Sequence, residues 1–574
     1  MPNSPALRAS LTGWPEGMIR RALMTLAGGL GLSGAVSVAM AQGVSDGDRA
    51  ITDQPAGAIL GQPVAQPLSA IDWLNQSAQP LGPDPFSASP LTGDLPLASP
   101  LYAPLSQPLA EPPVTTTAVT PDVSVTPLDR ATLDGVGLLP AKVSGLPLDL
   151  WQGSRSLDLV TLIDQPARHG LPAMQALIYT LLLAEADAPL DAGTEARLLQ
   201  ARIDALLRMG AVEPAQAMLE RAGPEHPALF ARWFDATLLT GAEDTACAAL
   251  MRAPHLSPSL SAQVFCTARR GDWAGAMLTL DTARAIEAIP AVEAEMLARF
   301  MDPDLFEDTP LPRAPVRPSP LLFRLYEALG EPLPTAPLPR AFAVADLRDT
   351  AGWRAQIEAA ERLASTGALA PNRLLGLYSE RRPAASGGVW DRVAAVQRLD
   401  EALRSGEAET VAQALPRVWS AMQAADLGVA LASLYSPALM RVPLSGSAGA
   451  LAYRIALLGP DYESAALALG PAHPEMGFAT ALARGQPATA HAATPLEQAI
   501  QQGFAATTAP ADMAALLAER RLGEVILRTI QLVQRAAQGD RAGLSDGLAT
   551  LRAVGLEDSA RRAALQLILM DRRS

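Results

Sequence analysis

The stretch TEARLLQARIDALLRMG, residues 194–210, and its continuation VEPAQAMLERAG, residues 212–223, decide the fold class. Leu199, Ile203 and Leu206 stand at i, i+4 and i+7, one face of a helix, and Gly210 supplies a C-terminal stop. Pro214 falls in an early turn, where its missing N–H costs nothing, and Gly223 closes the second helix. The pair reads as an αα-hairpin. Further hairpins start near His226 and Pro258, a recurrence of about 32 residues that is close to the tetratricopeptide period. Met209-Gly210 with Ala215, and Arg270-Gly271-Asp272 with Ala276, echo the joint of that repeat, although its consensus is not matched. Later pairs are less regular. Leu399–Gly406 leads into 407–423, and GEVILRTIQLVQRAAQGD (523–540) sets Ile526, Ile530 and Val533 on one face. No alternation of β-branched residues recurs from Trp151 onward. The expectation is an all-α chain, an irregular tetratricopeptide-like solenoid in which each hairpin buries its face on its neighbours.

Prolines interrupt the helical text in FMDPDLFEDTPLPRAPVRPSP and GEPLPTAPLPR. The expected division is therefore an N-terminal lobe (151–308), a proline-rich connection (309–338) with one short helix near 319–329, and a C-terminal lobe (339–574). Upstream, residues 51–150 hold seventeen of the 50 prolines, and residues 42–150 carry eleven acids against Arg49, Arg130 and Lys142. Proline removes backbone donors and like charges repel, so 42–150 reads as a disordered linker. Within it, SAIDWLNQ (69–76) is an apolar island able to dock on the body or on a partner, or to remain a transient turn.

The first 41 residues read as an address. Arg20 and Arg21 precede an uncharged run from Ala22 to Met40, and Ala39-Met40-Ala41 forms an A-x-A cleavage site before Gln42. Met18 is an alternative start that leaves a compact leader. Export to the periplasm is expected, with cleavage after Ala41 and no membrane-spanning stretch thereafter. Removal of 1–41 takes away Arg8, Arg20, Arg21 and Glu16 and moves the formal charge from −14 to −16. So acidic a chain repels phosphate backbones, which argues against nucleic acid.

The hydrophobic fraction of 49% is ample for a core. Lys142 is the only lysine, and it is not followed by Ser or Thr, so a Walker A loop is excluded. In an oxidising compartment Cys247 and Cys266 are expected to pair, because both are equally far from the turn APHLSPS (253–259) and so reach equal height on antiparallel helices.

Catalytic constellations are not evident. His169, His226, His255, His473 and His491 lack metal-ligand spacing and read as caps or loop residues. Ser447, in Ser445-Gly446-Ser447-Ala448-Gly449, misses the first glycine of a nucleophile elbow. Asp302, Asp304, Glu307 and Asp308 lack the turn glycine of a calcium loop. Glu463-Ser464 matches the Glu-Ser pair of lytic transglycosylases, but the Gly-Leu-Met-Gln motif is absent, so that resemblance stops at architecture. No catalytic residue, metal or cofactor is assigned. The candidate site is the loop LYSERRPAASGGVWDR (377–392), where Arg381, Arg382, Ser386, Trp390 and Asp391 would form a surface for a carboxylate or phosphate. Alternatively Ser386 caps the next helix, Trp390 packs inward and the arginines pair with local acids.

GLLPAKVSGLPLDLW (137–151), VFCTARRGDW (264–273), FMDPDLFED (300–308) and LYSERRPAASGGVWDR resemble segments of uncharacterised exported alphaproteobacterial proteins often labelled antifreeze-glycopeptide-like. The resemblance would cover most of the mature chain, and it implies export. The tandem Ala-Ala-Thr array of antifreeze glycopeptides is not present; the triplet stands singly at Ala492-Ala493-Thr494 and Ala505-Ala506-Thr507. The expected function is an exported helical-repeat scaffold for a protein or peptide partner in the cell envelope. A protein that binds or processes envelope polysaccharide or peptidoglycan is the alternative.

Overall fold

The computed structural model describes residues 132–165, 170–257, 259–306, 309–537, 539, 541 and 543–570. The leader, its Ala41 cleavage site, the 69–76 island, His169, Glu307 and Asp308 lie outside the described residues. All regular structure among the described residues is helical, with one isolated bridge between Leu139 and Ala184. No helix among them is long and apolar enough to cross a membrane.

The helices are α1 (Ala141–Ser144), α2 (Ser156–Ile163), α3 (Pro172–Leu183), α4 (Arg197–Met209), α5 (Val212–Ala222), α6 (Pro227–Thr240), α7 (Glu243–Arg252), α8 (Leu260–Arg269), α9 (Trp273–Ala285) and α10 (Ala291–Met301). In α4, Leu199, Ile203 and Leu206 are all fully buried, and Gly210 ends the helix at φ +87° with its N–H on the Leu207 carbonyl at 3.0 Å. Only glycine enters that left-handed conformation without strain. His226 caps α6, its Nδ1 accepting from the Ala228 N–H at 3.3 Å. Between α7 and α8, Cys247 and Cys266 form a disulfide across a Cα separation of 5.0 Å.

The connection carries α11 (Pro320–Ala328), which packs back on α6, and a 3-10 stretch Arg340–Leu347 that lies on α4 and α6. A charged chain fastens this excursion: Arg269 and Arg324 share the buried Glu243, Arg324 also pairs with Glu327, and Glu327 takes Arg348 at 2.7 Å. Then follow α12 (Trp353–Ala364), α13 (Pro371–Ser379), α14 (Val389–Ser405), α15 (Ala408–Gln423), α16 (Gly428–Leu439), α17 (Gly446–Leu458), α18 (Tyr462–Leu469), α19 (Gly477–Ala483), α20 (Pro495–Ala505), α21 (Ala511–Ala518), α22 (Leu522–Ala537), α23 (Leu544–Ala553) and α24 (Glu557–Leu569).

The succession of helices closes on itself. At its far end α22 packs on α2 and α3, and α24 packs on α3. The seam is built from close backbone approach. The Gly523 N–H donates to the Leu150 carbonyl at 2.9 Å, and a Cβ on Gly523 would fall 2.4 Å from Cε3 of the fully buried Trp151. A Cβ on Gly153 would fall 2.3 Å from the Arg520 carbonyl. Arg520 pairs with Asp149, Arg521 pairs with Asp158 and with the buried Glu524, and the Ala173 N–H donates to Gln566 Oε1 at 2.9 Å. The described helices also meet earlier in the chain, where Thr366 Oγ1 donates to the Met209 carbonyl at 2.7 Å and Arg373 pairs with Glu213. They are therefore one packed circuit joined at both ends.

Residues 132–150, assigned above to the linker, are folded onto this body. Backbone bonds from Leu138 and Leu139 to the Leu183 carbonyl and the burial of Leu146 and Leu150 hold the later part of this stretch, and its start is held by Arg202. Fully buried, it donates to the carbonyls of Leu182, Asp134, Val136 and Ala184 at 2.6–3.1 Å, and Asp134 accepts the Leu199 N–H at 2.8 Å. Burial lowers Arg202 to about 10 and raises Asp134, so the guanidinium still carries its charge at neutral pH. Pro140 and Pro147 cost little here, because Pro140 precedes the first turn of α1 and Pro147 opens a turn.

Candidate functional site

Of the expected loop 377–392, only residues 380–388 connect α13 to α14, since 377–379 finish α13 and Trp390, Asp391 and Arg392 lie in the first turn of α14; the segment is held from three sides. Trp353, first residue of α12, donates its indole N–H to the Leu377 carbonyl at 2.9 Å, and its ring lies 4.8 Å from that of Trp390. Gln397, two turns further into α14, donates to the Tyr378 and Arg381 carbonyls, both at 2.7 Å. Beneath the loop, Glu361 of α12 accepts from Tyr378 Oη at 2.7 Å and from Arg392 Nε at 2.6 Å, with Arg392 Nη2 on its second oxygen. Burial, then the Glu361 charge, pushes the Tyr378 phenol far above its ordinary range, so it stays a hydrogen-bond donor.

The expected site residues separate in space by role. Trp390 is half-buried against Trp353, while Arg381 is exposed and pairs with the adjacent Glu380 at 2.8 Å. Arg382 is exposed and has neither an ion pair nor a hydrogen bond among the described residues. Ser386 does not cap the helix. The N-cap of α14 is Gly388 at φ +66°, preceded by Gly387 at φ +81°, and it makes no side-chain cap bond. Two successive glycines at positive φ turn the chain directly into α14, and Ser386 stays exposed before them. Asp391 stands exposed in the first turn, where it already complements the helix dipole. The loop therefore offers one outward guanidinium without an acidic partner, that of Arg382, next to a carbonyl held by Gln397. Arg392, Tyr378 and Glu361 were not among the expected residues. Glu361 lies 31 positions from Arg392, and no local pattern links them.

The remaining sequence candidates resolve into structural roles. Asp302 Oδ1 accepts the Leu305 N–H at 3.3 Å, and Glu463 pairs with Arg561. Ser447 lies exposed in the first turn of α17. No group of three or more His, Cys, Asp or Glu side chains is arranged to hold a metal among the described residues. One cleft, bounded by Asp164, Asp204, Leu207, Arg208, Pro339 and Ala341, lies where α4 meets the 3-10 stretch. A second, of about 550 Å³, lies among α19, α20 and the turns before them. Neither includes a residue of the loop. No family model, curated protein or solved structure matches this chain.

Proposed function

We propose that this protein is an exported helical-repeat scaffold of the cell envelope that holds a protein or peptide partner and performs no chemistry of its own. In this reading the leader is removed after Ala41, the proline-rich segment is a tether in the periplasm, and the hairpins form an irregular tetratricopeptide-like array. The observation that carries it is the all-helical succession of packed helices, and helical arrays commonly serve to present a surface. Export is supported by the Cys247–Cys266 disulfide, since such bridges persist in oxidising compartments. The outward Arg382, on a backbone pinned by Gln397, supports the 377–392 loop as part of the binding face. Guanidinium groups of this kind take carboxylates and phosphates bidentately.

The test has two parts. N-terminal sequencing of the exported product is expected to read from Gln42; retention of 22–41 in a membrane fraction would replace the tether with an anchor. Capture of an envelope protein by the mature chain is expected to be lost in the Arg381→Ala, Arg382→Ala double variant, with the melt unchanged to within about 1 kcal/mol. Cosedimentation with peptidoglycan, in place of protein capture, would favour the polysaccharide-binding reading.

A further inference from the structure

The second cleft has the makings of a ligand site that lies outside the loop and does not depend on the scaffold reading. Its floor is fixed by a chain of polar contacts. Thr480 Oγ1 donates to the Met476 carbonyl at 2.9 Å and lies 2.6 Å from the hydroxyl of Tyr453, whose ring stacks on His473 at 5.0 Å. Gly470 lets its backbone press against this floor: a Cβ there would fall 2.5 Å from Thr480 Cγ2 and 3.2 Å from Arg484 Nη2. The volume, about 550 Å³, is within the range of small-molecule sites.

The charges on the wall are unevenly satisfied. Arg484 lines the cleft and has no carboxylate partner; Nη2 donates to the Ala466 carbonyl at 2.7 Å, Nε is buried without a partner, and Nη1 makes no hydrogen bond. Glu475 and Glu497 line the same cleft with one oxygen each to spare. Glu475 Oε1 faces His473 Nδ1 at 3.1 Å, and Glu497 Oε2 is taken by the Ala493 and Thr494 N–H groups and the Thr494 hydroxyl. A simple anion drawn to Arg484 would be repelled by two carboxylates, and a simple cation would meet the guanidinium. A ligand with both charges fits both. Phe478, Ala481 and Ala490 leave an apolar wall for a small alkyl group.

We propose that this cleft binds a small zwitterion, a free α-amino acid or a short peptide with both ends unblocked, its carboxylate on Arg484 and its ammonium toward Glu475 and Glu497. The test uses the full chain and six probes: alanine, alaninamide, N-acetyl-alanine, alanyl-alanine, alanyl-alaninamide and N-acetyl-alanyl-alanine, followed by titration calorimetry and saturation-transfer NMR. Binding of alanine identifies the amino-acid source and binding of alanyl-alanine alone the peptide source. Either blocked form of the probe that binds is expected to bind weaker by roughly tenfold or more, the worth of a charge-assisted hydrogen bond. Arg484→Gln is expected to abolish binding. Because that change also removes the bond to Ala466, the comparison of blocked with unblocked probes on the unaltered chain decides independently of it. A blocked form that binds as tightly as its binding-competent unblocked parent, undiminished binding by a folded Arg484→Gln variant, or no binding of either unblocked probe at millimolar concentration overturns the proposal.

Discussion

Replacing Trp151 with alanine should open the seam that closes the helical circuit, and the size of the effect follows from what the indole does there. Trp151 is fully buried against Gly523, and its Nε1–H has no hydrogen-bond partner, so the side chain contributes by packing alone. Truncation of a buried tryptophan costs about 3–5 kcal/mol. Phenylalanine keeps much of the volume and removes the unsatisfied N–H, so Trp151→Phe should cost less than about 1.5 kcal/mol. A chain of this size need not unfold in one step, which makes a local readout preferable to a global melt. The Gly523 amide supplies it. Lying in the first turn of α22, it has no acceptor within its own helix and bonds only to the Leu150 carbonyl across the seam. Native-state hydrogen exchange at Gly523 should therefore accelerate by roughly a hundredfold to a few thousandfold in Trp151→Ala and far less in Trp151→Phe. Exchange at Gly523 unaltered in Trp151→Ala would refute the seam as described.

Two further outcomes are expected. Replacing Cys247 and Cys266 by serine, which frees a loop spanning a separation of 19 residues, should destabilise the α7–α8 hairpin by roughly 3 kcal/mol, read as a lower thermal midpoint; a melt insensitive to the change, and to reductant in the parent, would contradict this. Burial pushes Asp235 up to about 7, with Arg232 pulling down and Glu293 adding to the rise. The folded state then keeps a proton that the unfolded chain releases near pH 4, so stability should fall as pH rises from about 4 to 7. Asp235→Asn should flatten that decline in thermal midpoints measured across the window, and an unchanged slope would count against it.

Helix class was legible because its determinants are local. The spacing of Leu199, Ile203 and Leu206, with Gly210 after them, is contained within a few turns of chain, and α4 follows it. The seam was not legible. Leu150 and Gly523 meet across most of the described chain, and nothing near Trp151 reveals that a glycine will lie beneath it. The same reason hid residues 132–150, whose prolines favour a linker until Arg202 of α4 takes the Asp134 and Val136 carbonyls and the Leu183 carbonyl takes the Leu138 and Leu139 N–H groups. At the candidate site the glycines, proline and serine marked a loop correctly as a loop. They could not show that Arg392 would turn inward to Glu361 while Arg382 stayed outside, because that choice is made by α12.

Closure gives the molecule a fixed circumference. An open array can gain or lose a hairpin and simply become longer or shorter, exposing a new end that still works. Here Trp151 must find Gly523, and Ala173 must find Gln566, after a set number of turns has been laid between them. Duplicating or deleting one hairpin would leave both halves of that junction facing the wrong neighbour. The length of chain between the two sides of the seam is thereby set by gaps at Gly153 and Gly523 that admit no side chain.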